Sequence, residues 1–299
     1  MRGMRSGWAP WVATYSLVAF DPETRSWGVG VQSKFLAVGS VVPHARAEAG
    51  AVATQAWANP RYGAEGLRLL AQGLSSSEVI ARLVAEDEGR DHRQLGVVDR
   101  EGRAASYTGS ACLEWAGHHV GEHVACQGNI LAGPDVVNHM ARAYAGSAGA
   151  LADRLVAALQ AAEAAGGDRR GRQSAALLIV KEAGGYGGLW DRALDLRVDD
   201  HPNPLHELSR LVALHRLYYE RAPAAERLTP EAIGAAQLLA ALARLGRLEG
   251  GRTTFDDEAW RALKIWALAE NLEDRWEDDG RLDPEVAALL LTRAGLGAG

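Results

Sequence analysis

Cysteine, lysine, methionine and phenylalanine are all scarce in this chain, and no long apolar run occurs. Among 299 residues there are two cysteines, Cys112 and Cys126, three methionines and three phenylalanines. There is no Cys-x-x-Cys pair and no paired His/Cys spacing, so neither a disulfide framework nor a cysteine-held metal is expected. Both thiols read as buried small hydrophobes. No stretch of 18 apolar residues is present, which argues against a membrane span. Arg2 and Arg5 precede no apolar segment of the kind an export signal needs, so a cytoplasmic location without membrane association is expected. Lys34, Lys181 and Lys264 are the only lysines; arginine carries the rest of the positive charge. The net charge of −6 leaves no electrostatic footprint for nucleic acid.

What is present suits a soluble globular protein. Apolar content of 47% and charged content of 23% are ordinary, and the length allows one large core or a medium core with a small second one. Residues 14–21 (TYSLVAFD) and 27–34 (WGVGVQSK) alternate in part around a proline-containing turn and predict a β-hairpin. Strands are also expected at 36–43, 50–57, 94–99, 103–108, 123–131, 174–180 and 192–198. Helices are expected at about 60–72, from Ser75 with Glu78 as a capping box, at 134–145, at 149–165 up to Gly166-Gly167, and at 203–220. Strands and helix pairs in that order suit two sheets stacked face to face with helices outside, an α+β fold rather than a strict βαβ alternation.

The composition changes at 222–229, and the C-terminal part of the chain reads as helical: Pro230 to Leu245, about 256–272, and a third helix from Asp283-Pro284, an N-cap with a first-turn proline after it. Domains are therefore expected at 14–222 and 226–299. Residues 1–13 (MRGMRSGWAPWVA) have neither periodicity nor a cap and read as an extension. Trp260, Trp266 and Trp276 could form a sugar-stacking surface, but their helical spacing favours the core of a three-helix unit.

The stretches TYSLVAFDPETRSWGVGVQSKFLAVGSVVPHARAEAGAVATQAWANPRYG, CQGNILAGPDVV, GGDRRGRQSAALLIV and DLRVDDHPNP resemble a bacterial family, domain of unknown function 1028, over about residues 13–222. That family is similar in fold to the N-terminal-nucleophile hydrolases, so the resemblance implies a four-layer αββα sandwich. Self-association into a homo-oligomer is an expectation at family level. In the tail, LLAALARLGRL, FDDEAWRALKIWALAENLE and DGRLDPEVAALLL resemble a small helical domain labelled peptidoglycan-binding. Such binding is doubtful on the sequence, because without an export signal the chain would not meet a wall.

The resemblance also implies a mechanism. The first residue of the first strand supplies a hydroxyl, and its own α-amine, titrating near 8, acts as base. By position that residue is Thr14, on condition that it becomes the first residue of the chain. Where a proteasome-type site has an aspartate, Gln32 stands here, with Ser33 and Lys34 next in the chain. Gly128 and Asn129 fall where such folds bring a loop to the nucleophile, and Asp168 with Arg169, Arg170 and Arg172 where a second loop approaches. Thr14, Ser33, Lys34, Asn129 and Asp168 are thus the candidate catalytic residues, and Gln32, Gly128, Arg169 and Arg172 the candidate substrate-binding ones. Each also has a plain reading. Thr14 suits a strand by its β-branching, Lys34 suits a solvated strand end, and the 168–172 run suits a charged loop.

Asp199-Asp200-His201 reads as turn capping before Pro202, since adjacent strand side chains point to opposite faces. No metal and no cofactor is expected. Two readings stand: an amidohydrolase acting on a small-molecule or peptide amide, or a non-catalytic binding or scaffold protein on the same fold.

Overall fold

A computed structural model describes residues 14–297. The segment read as an extension, 1–13, lies outside the described residues. In chain order the first elements are β1 (Thr14–Asp21), β2 (Ser26–Ser33), β3 (Pro43–Arg46), β4 (Gly50–Ala56), α1 (Arg61–Ala71) and α2 (Ser76–Ala85). Next come β5 (Arg93–Asp99), β6 (Ala104–Thr108), β7 (Gly117–Gly121), β8 (Val124–Gly128), α3 (Asp135–Gly146) and α4 (Leu151–Ala164). The remainder is β9 (Ser174–Val180), β10 (Arg192–Val198), α5 (Pro204–Tyr219), α6 (Pro230–Ile233), α7 (Ala235–Arg244), α8 (Asp257–Ala269) and α9 (Pro284–Arg293).

The chain divides into two compact units, one up to Val212 and the other from Ala213. The division falls inside α5, ahead of the 222–229 stretch where the composition changes.

The first unit holds two antiparallel sheets, one ordered β10-β9-β2-β1-β8-β7 and the other β3-β4-β5-β6. Period-2 alternation sorts their side chains. Tyr15 and Leu17 of β1, with Leu177 of β9, meet Met140, Tyr144, Leu155 and Leu159 of α3 and α4. Val18, Val29 and Val31 point the other way, toward Ala51, Ala53 and Val98 of the second sheet. The outer face of that sheet, through Val52, Leu95 and Val97, packs on Leu69, Leu70, Val79 and Leu83 of α1 and α2. Each fully buried leucine or valine contributes about 1.5–3 kcal/mol. Gly28 lets α4 come close: a Cβ built there would stand 2.7 Å from Leu155 Cδ1.

Most of the expected elements form, and Ser75 and Glu78 close the capping box at the start of α2. Three expectations need correction. Residues 36–43 are not a strand: Ala37 turns left-handed (φ 52°), a 3-10 turn spans Val38–Ser40, and β3 starts only at Pro43. β7 lies outside the expected strands; its residues are half-exposed or exposed, so no apolar pattern marks it. The helix expected from Pro230 to Leu245 breaks into α6 and α7 at Gly234, whose φ of 123° no helix accommodates.

In the second unit Leu238, Leu242, Leu263, Trp266, Val286 and Leu290 form the core. Arg275, itself buried, donates to the carbonyls of Arg216 (2.7 Å) and Leu217 (2.5 Å) near the end of α5 and to Asp283 Oδ2 (2.7 Å). Unfilled carbonyls at a helix end thereby find a donor inside the core.

Candidate functional site

Thr14 opens β1 directly opposite Ser33, the last residue of β2. Its parity is that of Ser16 and Val18, so its side chain faces the second sheet. Thr14 Oγ1 donates to Ser33 Oγ at 3.0 Å, and both residues are fully buried. The Thr14 carbonyl accepts the Asn129 N–H at 3.0 Å and Gln55 Nε2 at 3.3 Å.

Around this strand end lies a polar layer that the motifs do not announce. On the six-stranded sheet Ser16 pairs with Gln127; on the facing sheet Gln55 pairs with Gln94. Ser16 Oγ donates to Gln55 Oε1 at 2.6 Å and accepts from Gln127 Nε2 at 2.7 Å. Gln94 Oε1 accepts both Gln55 Nε2 and Asn129 Nδ2 at 2.9 Å, while Gln94 Nε2 donates to the Gly128 carbonyl at 2.7 Å. All five side chains are fully buried, and Asn129 Oδ1 alone among their atoms is buried without a partner. Buried amides normally satisfy every such atom, which makes this acceptor a marked point. A signal existed in the sequence: Gln55, Gln94 and Gln127 each sit one residue in from the end of a strand with a mostly apolar middle, on the inward parity.

The other candidates gather on the opposite side of the sheet. Gln32 pairs with Tyr15, not Thr14, so it points toward the helices. It lines a pocket of about 240 Å³ with Glu163, Gly166, Gly167, Asp168, Gly171 and Arg172. Asp168 is an anchor. Its buried carboxylate takes the Lys34 N–H (3.1 Å), the Arg170 N–H (2.9 Å) and the Arg170 guanidinium (2.8 Å). The Lys34 side chain is exposed. Arg172 pairs with Glu163 at 3.0 Å, and Arg169 turns away to the Glu114 carbonyl at 2.7 Å. Beneath Gly167 the Tyr15 hydroxyl is buried and unpartnered. Burial, then the charges of Glu163 and Asp168, raise its pKa well above the ordinary phenol, so it stays neutral.

The sequence candidates therefore divide into two groups: Thr14, Ser33 and Asn129 between the sheets, and Gln32, Asp168 and Arg172 on the helix side. Gly128 borders the first group through its carbonyl; a Cβ there would stand 2.4 Å from Leu131 Cδ1. Thiol chemistry has no support, because burial pushes the Cys112 thiol up to about 11 and Cys126 higher still. Asp200 and His201 serve the turn: Asp200 accepts Gln173 Nε2 at 3.0 Å and His201 Nδ1 accepts the Asn203 N–H at 3.0 Å. Among the described residues no group of three or more His, Cys, Asp or Glu side chains stands together as a metal site.

Fold and site define a mixed α/β protein of two antiparallel sheets with a threonine and a buried amide layer at one strand end, and with a helical unit after it in the chain. The chain belongs to the family of unknown function DUF1028, whose profile matches residues 14–208. A second profile, described as "Putative peptidoglycan binding domain", matches residues 220–290. Among solved structures the chain is similar to protein SPO2555 from Silicibacter pomeroyi, a crystal structure assigned to the same family. The identity is 32% and the TM-score 0.63, over 68% of this chain and 89% of that one. No curated protein matches. Among the described residues no helix is long and apolar enough to cross a membrane.

Proposed function

We propose that the first unit is an amidohydrolase of the N-terminal-nucleophile type, and that its paired sheets with outer helices are the αββα sandwich of that class. The nucleophile is Thr14 Oγ1; the base is the α-amine that Thr14 gains when it is the first residue. The observation that carries this reading is the position of Thr14. It heads an inner strand, faces the second sheet, and stands next to Asn129, whose buried Oδ1 has an open lone pair.

The chemistry rests on that geometry. The amine takes the hydroxyl proton and Oγ1 adds to the carbonyl carbon of a small amide or peptide bond. As the tetrahedral adduct collapses, the ammonium returns the proton to the leaving amine and an ester on Thr14 remains. Water, deprotonated by the same amine, then releases the acid. Asn129 Oδ1 is the acceptor for an N–H of the ammonium, and the Ser33 hydroxyl orients Oγ1. The helix-side pocket, small and bordered by Arg172, suits a compact polar substituent of the substrate.

A second reading, a binding or scaffold protein on the same fold, is favoured by the burial of Thr14 in the full chain. One experiment separates them. Protein beginning at Thr14, and the same protein carrying Thr14→Ala, are treated with a β-lactone selective for N-terminal threonine. An adduct by intact mass on the first alone supports the enzyme. A folded Thr14-started protein that takes no label supports the scaffold.

For the second unit, the description of the profile over 220–290 supports a wall-polymer ligand, contrary to the doubt raised by the sequence. Co-sedimentation of the full chain with purified peptidoglycan tests it.

A further inference from the structure

The second unit carries a groove of about 600 Å³, within the range of small-ligand sites, lined by Asp257, Trp260, Arg261, Lys264, Trp276 and Asp278 among others. Two of the three tail tryptophans reach it. Trp266 is buried in the core, whereas Trp260 and Trp276 are only half-buried and stand edge to face, centroids 5.9 Å apart at 78°. Phe255 backs Trp260 in the same manner at 5.4 Å. The rings are thus held rigidly by aromatic packing before any ligand arrives.

The polar rim is equally ordered. Lys264 Nζ contacts both carboxylate oxygens of Asp278, at 2.9 and 2.7 Å, and Trp276 Nε1 donates to Asp278 Oδ1 at 2.8 Å. One tryptophan therefore presents its ring to the groove while its N–H fixes an ion pair beside it. The cations Arg261 and Lys264 are outnumbered by Asp257, Glu277 and Asp278, so a phosphate-bearing ligand is disfavoured. Half-exposed rings bordered by fixed donors and acceptors of both signs match a pyranose, which offers C–H groups on its face and hydroxyls around its edge.

We infer that this groove is the glycan site of the second unit, taking a neutral strand of N-acetylated amino sugars. A sugar face lies on one of the two tryptophan rings while the other, nearly perpendicular, walls the groove, and the hydroxyls bond to Lys264 and Asp278. The inference rests on the wall-polymer reading of this unit and is independent of Thr14.

The test uses the full chain. Chitotriose, the trimer of N-acetylglucosamine, is titrated while indole N–H resonances are monitored, and co-sedimentation with purified peptidoglycan is measured in parallel. The expected result is a shift of the Trp276 indole signal with chitotriose, and co-sedimentation that falls at least about tenfold in apparent affinity in Trp276→Ala and Lys264→Ala. Lys264→Ala alters a half-buried side chain outside the core of the unit, so it stays informative if Trp276→Ala fails to fold. Co-sedimentation unchanged in Lys264→Ala and in folded Trp276→Ala would overturn the groove while leaving the wall-polymer reading standing. No co-sedimentation of the unaltered chain would overturn that reading, and the inference with it. Competition by a free stem peptide but not by chitotriose would show that the groove reads peptide, and would overturn the glycan assignment.

Discussion

Asn129 and Gln94 reach across the space between the two sheets, the Asn129 carboxamide donating to Gln94 Oε1 at 2.9 Å from the strand end next to Thr14. Gln94 also holds Gln55 and the Gly128 carbonyl, so one side chain joins β4, β5 and β8, and Gln55 carries the link on to the Thr14 carbonyl of β1. Replacing it with leucine leaves several buried polar atoms without partners. Gln94→Leu is expected to lose about 2–3 kcal/mol of stability, read from urea unfolding. A midpoint equal to that of the unaltered protein would show that the layer is neutral to folding.

Gly96 faces the same layer. A Cβ there would stand 2.2 Å from Gln127 Oε1 and 2.6 Å from its Cδ, and Gln127 has little freedom to yield because Ser16 holds it. Gly96→Ala is expected to destabilise by about 1–3 kcal/mol. Gly133→Ala, whose Cβ meets nothing within 4 Å, is the control and should be close to neutral. Equal melting temperatures for the two variants would contradict this.

Acid should act on the first unit in two steps. Burial, only partly offset by a hydrogen bond with the Val41 carbonyl, holds the His44 pKa below its ordinary 6.5. Its folded pKa is depressed, so its contribution is complete above 6.5 and is lost as pH falls through the folded value. Burial alone would raise Asp87, but hydrogen bonds from Arg93, Tyr62 and the Gly89 N–H outweigh it and hold the carboxyl well below 3.8. That contribution is lost only further down. Unfolding free energies from about pH 8 to about pH 3 should fall in both windows. In His44→Gln the first fall should shrink and the second persist; a first fall unchanged in that variant would remove His44 as its source.

Arg275→Ala should be the most damaging single change in the second unit. It strands Asp283 and uncovers two carbonyls of α5, with an expected loss of about 3–5 kcal/mol. Arg275→Lys should recover little, because a single ammonium cannot reproduce a fork that serves three acceptors. Thermal unfolding of both variants reads this out.

Much of the architecture was legible because strands such as 174–180 and helices such as 149–165 carry their burial pattern in their own residues. β7 was not, because Gly117 to Gly121 cover no core and lean on β8 for their place. The break at Gly234 was hidden by residues on both sides that favour a helix. Thr14, Ser33 and Asn129, which the resemblance names together, are neighbours at one strand end. Gln32 stands where the resemblance implies an aspartate close to the nucleophile, yet it pairs with Tyr15, and one residue along a strand reverses the face. The glutamine layer was missed because its partners lie far apart in the chain, Ser16 and Gln127 by 111 positions.

That reversal sets a path length. Thr14 and Gln32 are near neighbours at the mouth of one hairpin, yet a sheet of paired backbone separates their side chains, and no substrate atom passes through it. On the proposed reading, a molecule that seats one end beside Arg172 and presents an amide to Thr14 must bend around the ends of β1 and β2, past the exposed Lys34. If Thr14 acts as proposed, compact or rigid amides would engage one face of the hairpin or the other, while a flexible chain with several rotatable bonds between its anchor and the bond presented to Thr14 could engage both.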